Sequence, residues 1–255
     1  YRELLYKLIL GIFAKQGSMS EIMNIPVIIM DFTKVYRNQY FYLGYNHTVI
    51  DCTDIPGSDC YCDQDAAKII QARIAPHPLR AVHFLDTGNH HYITKFWTDR
   101  INTDFIMVVA DFHHDMQPPM FEDFLSCGGW VRTALDTNPY LKQVLFIGVS
   151  EDYTVMGNDS EIFRYPVMPN PSLPVYISID KDVLHKGIVT TNWDQGNMSF
   201  RQLQGIIKEI MHGYRVLGVD ICGESTTCCD KRSDHINGRL LSCIAASDLS
   251  TWLQG

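Results

Sequence analysis

The chain has no run of lysine or arginine, and its formal charge is −8. That balance argues against a nucleic-acid surface or an anionic membrane as the main partner. C-x-x-C pairs are missing as well, so Cys60-Tyr-Cys62 and Cys228-Cys229 read as packing or surface thiols rather than a structural zinc site. There is no recognisable secretory leader, and the eight cysteines are irregularly spaced, which points to reduced thiols in a cytoplasmic protein. No apolar run is long enough to span a membrane: residues 4–14 are too few and include Lys7, and they are expected to form an amphipathic helix. Internal repeats and low-complexity tracts are absent too. A small molecule is the expected partner.

With 46% hydrophobic residues in 255 positions, the chain can bury one large core, and one domain over residues 1–255 is expected. Residues 1–19 read either as an appended native helix or as a vector-derived extension, since the chain opens on Tyr1 and contains Gly17-Ser-Met19. Strand patterns fall at 25–30, 81–85, 105–110, 143–148, 175–179 and 215–219. Helical patterns fall at 64–74, 92–102, 121–136, 199–212 and 238–253, and turn formers gather at 76–78, 166–174 and 187–196. Such alternation predicts an α/β fold, a three-layer α-β-α arrangement around a mostly parallel sheet. Ser199 with Gln202 has the spacing of a capping box.

Two of the apolar strands run into acidic clusters. Phe105 to Ala110 leads into Asp111, His113 and Asp115, and Leu173 to Ile179 leads into Asp180 and Asp182. Alternate residues of a strand share a face, so each cluster can converge on one point just past the strand end. Four ionised carboxylates at the edge of a buried sheet repel one another and lose hydration, and divalent cations relieve both penalties. These five side chains are candidate ligands of a two-metal site. A lone aspartate more often caps a helix and a lone histidine more often packs in a core, but five at alternate positions after two apolar strands favour a site.

In order and spacing the motifs resemble those of the arginase and deacetylase superfamily, on the ureohydrolase side that includes arginase, agmatinase and formiminoglutamase. They are Gly88-Asn-His-His-Tyr-Ile-Thr94, Asp111-Phe-His-His-Asp115 and Ser178-Ile-Asp-Lys-Asp182. The resemblance spans about residues 25–224. It implies an arginase/deacetylase-like fold, two divalent ions with Mn²⁺ as the family's ion, and one further histidine ligand. Aligning on Ile93-Thr94 selects His91, whereas aligning on Gly88-Asn89 selects His90; His91 is preferred. Zn²⁺, Co²⁺ and Fe²⁺ are compatible with the same donors.

The resemblance also implies roles for residues around the ligands. Cys127, in Ser126-Cys-Gly-Gly-Trp130, stands where the ureohydrolases carry a proton-shuttling histidine, and a thiol suits that task less well at neutral pH. His114 is the alternative proton carrier, although strand alternation would turn it away from His113. Glu224 matches the late glutamate that helps hold a guanidinium, with one extra residue between it and the strand. Trp193 and Asp194 occupy the substrate-facing loop, where they could stack on and pair with a cation or simply pack; Ser150-Glu-Asp152 is a weaker candidate of the same kind. The expected activity is binuclear metal-dependent hydrolysis of a C–N bond in a small guanidino, amidino or amide compound. The alternatives are a zinc-dependent, deacetylase-like amide hydrolase and a non-catalytic metal-binding homologue. A homo-oligomer is compatible with all three.

Overall fold

The computed structural model describes residues 25–118, 124–150, 161–227 and 231–247. In chain order its strands are β1 (Val27–Asp31), β2 (His47–Asp51), β3 (Tyr61–Cys62), β4 (Val82–Phe84), β5 (Phe105–Ala110), β6 (Leu125–Ser126), β7 (Leu141–Ile147), β8 (Ile162–Arg164), β9 (Val175–Asp180) and β10 (Val216–Cys222). The helices are α1 (Gln64–Ile74), α2 (Ile93–Thr98), α3 (Trp130–Thr137), α4 (Phe200–Gly213) and α5 (Lys231–Ala246), with 3-10 turns at Val35–Asn38, Gly88–His90 and Lys181–Val183.

Eight strands make one sheet in the order β2, β1, β4, β10, β9, β5, β7, β8. Every pairing within it is parallel. Alternate residues of each strand feed opposite sides. Ile106, Val108 and Ala110 pack with Leu203, Ile207, Leu240 and Ile244 of α4 and α5, while Phe105, Met107 and Val109 pack with residues of α1, α2 and α3 such as Ile70, Trp97 and Val131. Both faces are covered, which is why β5 and β9 are buried at every residue and carry no charge before Asp180. The α/β three-layer expectation holds. No helix among the described residues is long and apolar enough to cross a membrane.

The capping box forms: Ser199 Oγ accepts from the Gln202 backbone N–H, and Gln202 Oε1 accepts from the Ser199 N–H. Elsewhere the expected boundaries move. β2 shows no strand signal because it lies at the sheet edge and buries one residue, Ile50, of its five. The helix expected over 121–136 starts only at Trp130, after β6 and the Gly128-Gly129 pair, whose poor helix propensity delays it. α5 begins at Lys231, ahead of the expected 238. Residues 1–24, 119–123, 151–160, 228–230 and 248–255 lie outside the described residues, and with them the amphipathic segment, Cys228-Cys229 and Glu151-Asp152.

β10, β9 and β5 are neighbours in the sheet, so the segments leaving their carboxyl ends meet above its centre.

Candidate metal centre

Beyond Ala110 the chain leaves strand geometry at once, and Asp115 takes a left-handed conformation with φ 50°. The strict alternation expected for residues 111–115 is therefore lost, and His113 and His114 both line the same cavity of about 190 Å³. From β9, Asp180 projects at the strand end, and the following 3-10 turn brings Asp182 round; the Asp182 N–H donates to Asp180 Oδ1 at 2.9 Å.

His91 is the histidine brought to these acids. Its Nδ1 lies 3.0 Å from Asp111 Oδ2, 3.2 Å from Asp115 Oδ2 and 3.8 Å from Asp180 Oδ2. Across the cavity His113 Nδ1 lies 2.9 Å from Asp182 Oδ2 and 3.6 Å from Asp111 Oδ1. Compact donor groups result, among them one of His91, Asp111 and Asp115 and another of Asp111, His113 and Asp182. Asp111 belongs to both, one oxygen facing each.

The neighbours orient these donors. His91 Nε2 lies 2.9 Å from Ser178 Oγ, which also contacts Thr94 Oγ1, and an Nε2–H directed there leaves Nδ1 as the lone-pair nitrogen. Trp130 Nε1 donates to Asp115 Oδ2 at 2.7 Å, and the Phe112 N–H donates to Asp182 Oδ1 at 3.0 Å. Ser178 and Trp130 were both within the segments that carry the sequence motifs. Only their partners reveal what they do.

The charges are left mutually exposed. Burial and the nearby Asp182 raise the Asp180 carboxyl to about 6, and burial together with Asp111 raises that of Asp182. Burial opposes protonation of His113, yet Asp111 and Asp182 lift its pKa to about 11. His91 Nδ1 is wholly buried and has no hydrogen-bond partner: as the lone-pair nitrogen it faces the oxygens of Asp111, Asp115 and Asp180 with no proton to share with them. Oxygen-rich donors around an orphaned nitrogen fit divalent cations.

Other expected site residues fare differently. Trp193 and Cys127 line the cavity; the Trp193 Nε1–H donates to Asn89 Oδ1 and its ring stands edge-on to His113. Asp194 is exposed and does not line the cavity, so its expected place facing a substrate is corrected. Glu224 is corrected too. The extra residue before it is Gly223, at φ 87°, where a Cβ would collide with Asp180 Oδ1. The turn sends Glu224 away from the cavity into a buried ion pair with Lys181, with Gln39, Ser233 and Asn237 as further donors. A lysine between two acids at the end of an apolar strand was the available signal for that pair.

His90 faces elsewhere. Its ring stacks on Phe32 at 4.2 Å, its Nδ1 contacts Thr87 Oγ1, and it lines a second cavity of about 260 Å³. Burial depresses its pKa from 6.5 to about 4. Because the folded pKa lies below the unfolded one, the unfolded chain takes up the proton first, and stability is lost as pH falls from 6.5 towards 4. A depression of this size is worth about 3 kcal/mol. Urea unfolding between pH 7 and 4 is expected to show this slope in the wild type and a flatter one in His90→Gln.

Comparison with solved structures identifies the fold as an arginase-like α/β fold. Among solved structures the chain is similar to proclavaminate amidino hydrolase from Streptomyces clavuligerus, at 13% identity and TM-score 0.63, covering 89% of this chain and 93% of that one. It is also similar to Trypanosoma cruzi formiminoglutamase with Mn²⁺, at 13% identity and TM-score 0.63, covering 93% and 97%. Agmatinases and arginases share the likeness, which at these identities is one of fold. An uncharacterized protein from Thermotoga maritima is 36% identical over 149 residues, or 56% of this chain, and the match spans 58% of that relative's length. No protein-family model matches the chain.

Proposed function

We propose that this protein is a hydrolase that uses two divalent metal ions to cleave a C–N bond in a small guanidino, amidino or amide compound. The observation that carries the reading is the sharing of Asp111 between two donor groups on the floor of one cavity. His91, Asp111, Asp115 and Asp180 would hold the inner ion, and Asp111, His113 and Asp182 the outer one. The Mn²⁺ of the Trypanosoma cruzi neighbour favours manganese for the oxygen-rich outer group. When bound, such a pair polarises a substrate and makes water a better nucleophile at neutral pH.

The chain's own groups do the rest. Trp193 and Tyr61 supply apolar wall, and Gln117 and Ser126 supply polar wall against which a planar substrate can be oriented. Of the two candidate proton carriers, burial pushes the Cys127 thiol up and keeps it protonated. His114 has its pKa lowered by burial, and its Nδ1 accepts from the Met116 N–H. The imidazole is therefore the group on this wall suited to taking up and returning a proton. The same reading takes a small molecule as partner, residues 1–255 as one domain and the cytoplasm as location.

Protein purified without chelator is expected to carry about two divalent ions per chain by elemental analysis. It is also expected to release urea or ammonia from at least one member of a guanidino, amidino and amide panel, a release lost in Asp180→Asn. Well under one ion per chain contradicts the reading, and one ion with amide cleavage alone supports the deacetylase-like alternative.

A further inference from the structure

Cys222 is the last residue of β10, and the parallel ladder sets it beside Asp180 of β9. Residues level with one another on adjacent parallel strands point to the same face, so the thiol emerges next to that carboxylate. Its Sγ lies 3.2 Å from Asp180 Oδ2 and within 4.8 Å of a ring nitrogen of His91, and it is fully buried. The donor atoms of His91, Asp180 and Cys222 all lie within 4.8 Å of one another, the same span as the two groups already described. Independently, the wholly buried His91 Nδ1 that faces this group has no hydrogen-bond partner. His91 is thus common to an all-oxygen arrangement on one side and an oxygen and sulfur arrangement on the other.

We propose that Cys222 is a sulfur ligand of the inner metal position, which makes that position a mixed nitrogen, oxygen and sulfur site selective for Zn²⁺ over Mn²⁺. The outer group of Asp111, His113 and Asp182 contains no sulfur and keeps the preference of oxygen and imidazole donors for harder ions. The centre is chemically uneven, with a softer ion at the inner position and a harder one outside. On coordination the S–H bond breaks and an S–metal bond forms, both electrons of the S–H bond stay on sulfur, and the proton leaves to solvent. No redox change is involved. The proposal rests on the metallohydrolase reading above and adds the identity of one ligand and the metal preference that follows.

The bland role for Cys222 is to donate a hydrogen bond to Asp180. Serine preserves that donor and removes the sulfur, so Cys222→Ser separates the two roles. The full chain loaded with Co²⁺ is expected to show a sulfur-to-cobalt charge-transfer band in the near ultraviolet. The band should vanish in Cys222→Ser and persist in Cys60→Ser/Cys127→Ser, which removes two thiols of the cavity wall. In competition experiments the affinity for Zn²⁺ should fall by roughly 10–100-fold or more in Cys222→Ser, and that for Mn²⁺ by less, because serine takes away the soft donor on which the preference for Zn²⁺ rests. Two cobalt ions per chain without the band overturn the sulfur ligand and leave the metallohydrolase reading standing; no retained cobalt defeats both. If Cys222→Ser fails to fold, the double variant decides, because a band lost there belongs to Cys60 or Cys127 and overturns the proposal.

Discussion

Asp111→Asn is expected to empty both metal positions and to lower turnover by on the order of 10³-fold or more, since the ions supply several kcal/mol of transition-state stabilisation. Asp111 presents Oδ2 to His91 and Oδ1 to His113, so one substitution weakens both donor groups, whereas loss of Asp115 or His113 disturbs one. The amide keeps the side chain's shape, and its Oδ1 can still accept from the His113 N–H, a 2.6 Å contact in the wild type. The effect on stability should therefore depend on the metal. Without metal, removing one of four crowded carboxylates relieves repulsion, and the variant should unfold at the same temperature as the wild type or slightly above it. With saturating Mn²⁺ the wild type should gain the stabilisation that ligand binding to the folded state provides, and the variant should not. Elemental analysis and paired thermal melts, with and without metal, read both halves. A variant that retains two ions contradicts the shared role of Asp111.

The second large effect lies behind the cavity. Lys181→Met is expected to cost about 3–5 kcal/mol of stability, because it leaves the Glu224 carboxylate buried without its cation. Lys181 and Glu224 are essentially inaccessible to solvent, and the ammonium also donates to Ser233 Oγ at 2.8 Å and Asn237 Oδ1 at 2.9 Å. The Lys181→Met/Glu224→Gln double variant, which removes both charges, should recover most of the loss, as buried pairs replaced together often do. Acid should act through the same pair. Burial alone would raise the Glu224 carboxyl, but Lys181 and Asn237 hold it below its usual 4.5. A carboxyl with a lowered folded pKa contributes stability above its unfolded value and loses that contribution as pH falls below about 4.5 and through the folded pKa. This window lies below the one governed by His90, so equilibrium urea unfolding across pH separates the two. An unchanged midpoint in Lys181→Met would refute the argument.

The placement of this pair also bears on substrate choice. Glu224 is engaged by four side chains within the fold and does not line the cavity, so the described wall offers it no part in holding a guanidinium. Under the proposed function, selectivity among guanidino, amidino and amide compounds is expected to arise from residues of the described wall such as Trp193, Gln117 and His114.

The sequence by itself determined the layered α/β architecture, because β5 is apolar throughout and β9 carries no charge before Asp180, and a sheet covered on both faces is what accepts such strands. It also determined which acids gather, since Asp111, Asp115, Asp180 and Asp182 stand at or shortly past the carboxyl ends of the two strands that the sheet places side by side. Tertiary structure decided what linear spacing leaves open. His90 and His91 are equivalent as letters, and only the turn at Gly88–His90 sends one ring to Phe32 and the other to Asp111. Gly223, by adopting a positive φ, turned Glu224 from a cavity residue into the partner of Lys181, and the register of β10 against β9 brought Cys222 to Asp180. The physical reason is common to all three: the direction of a side chain past the end of a strand is set by backbone torsions and by the neighbouring strand, and neither is encoded in the local pattern of residue types.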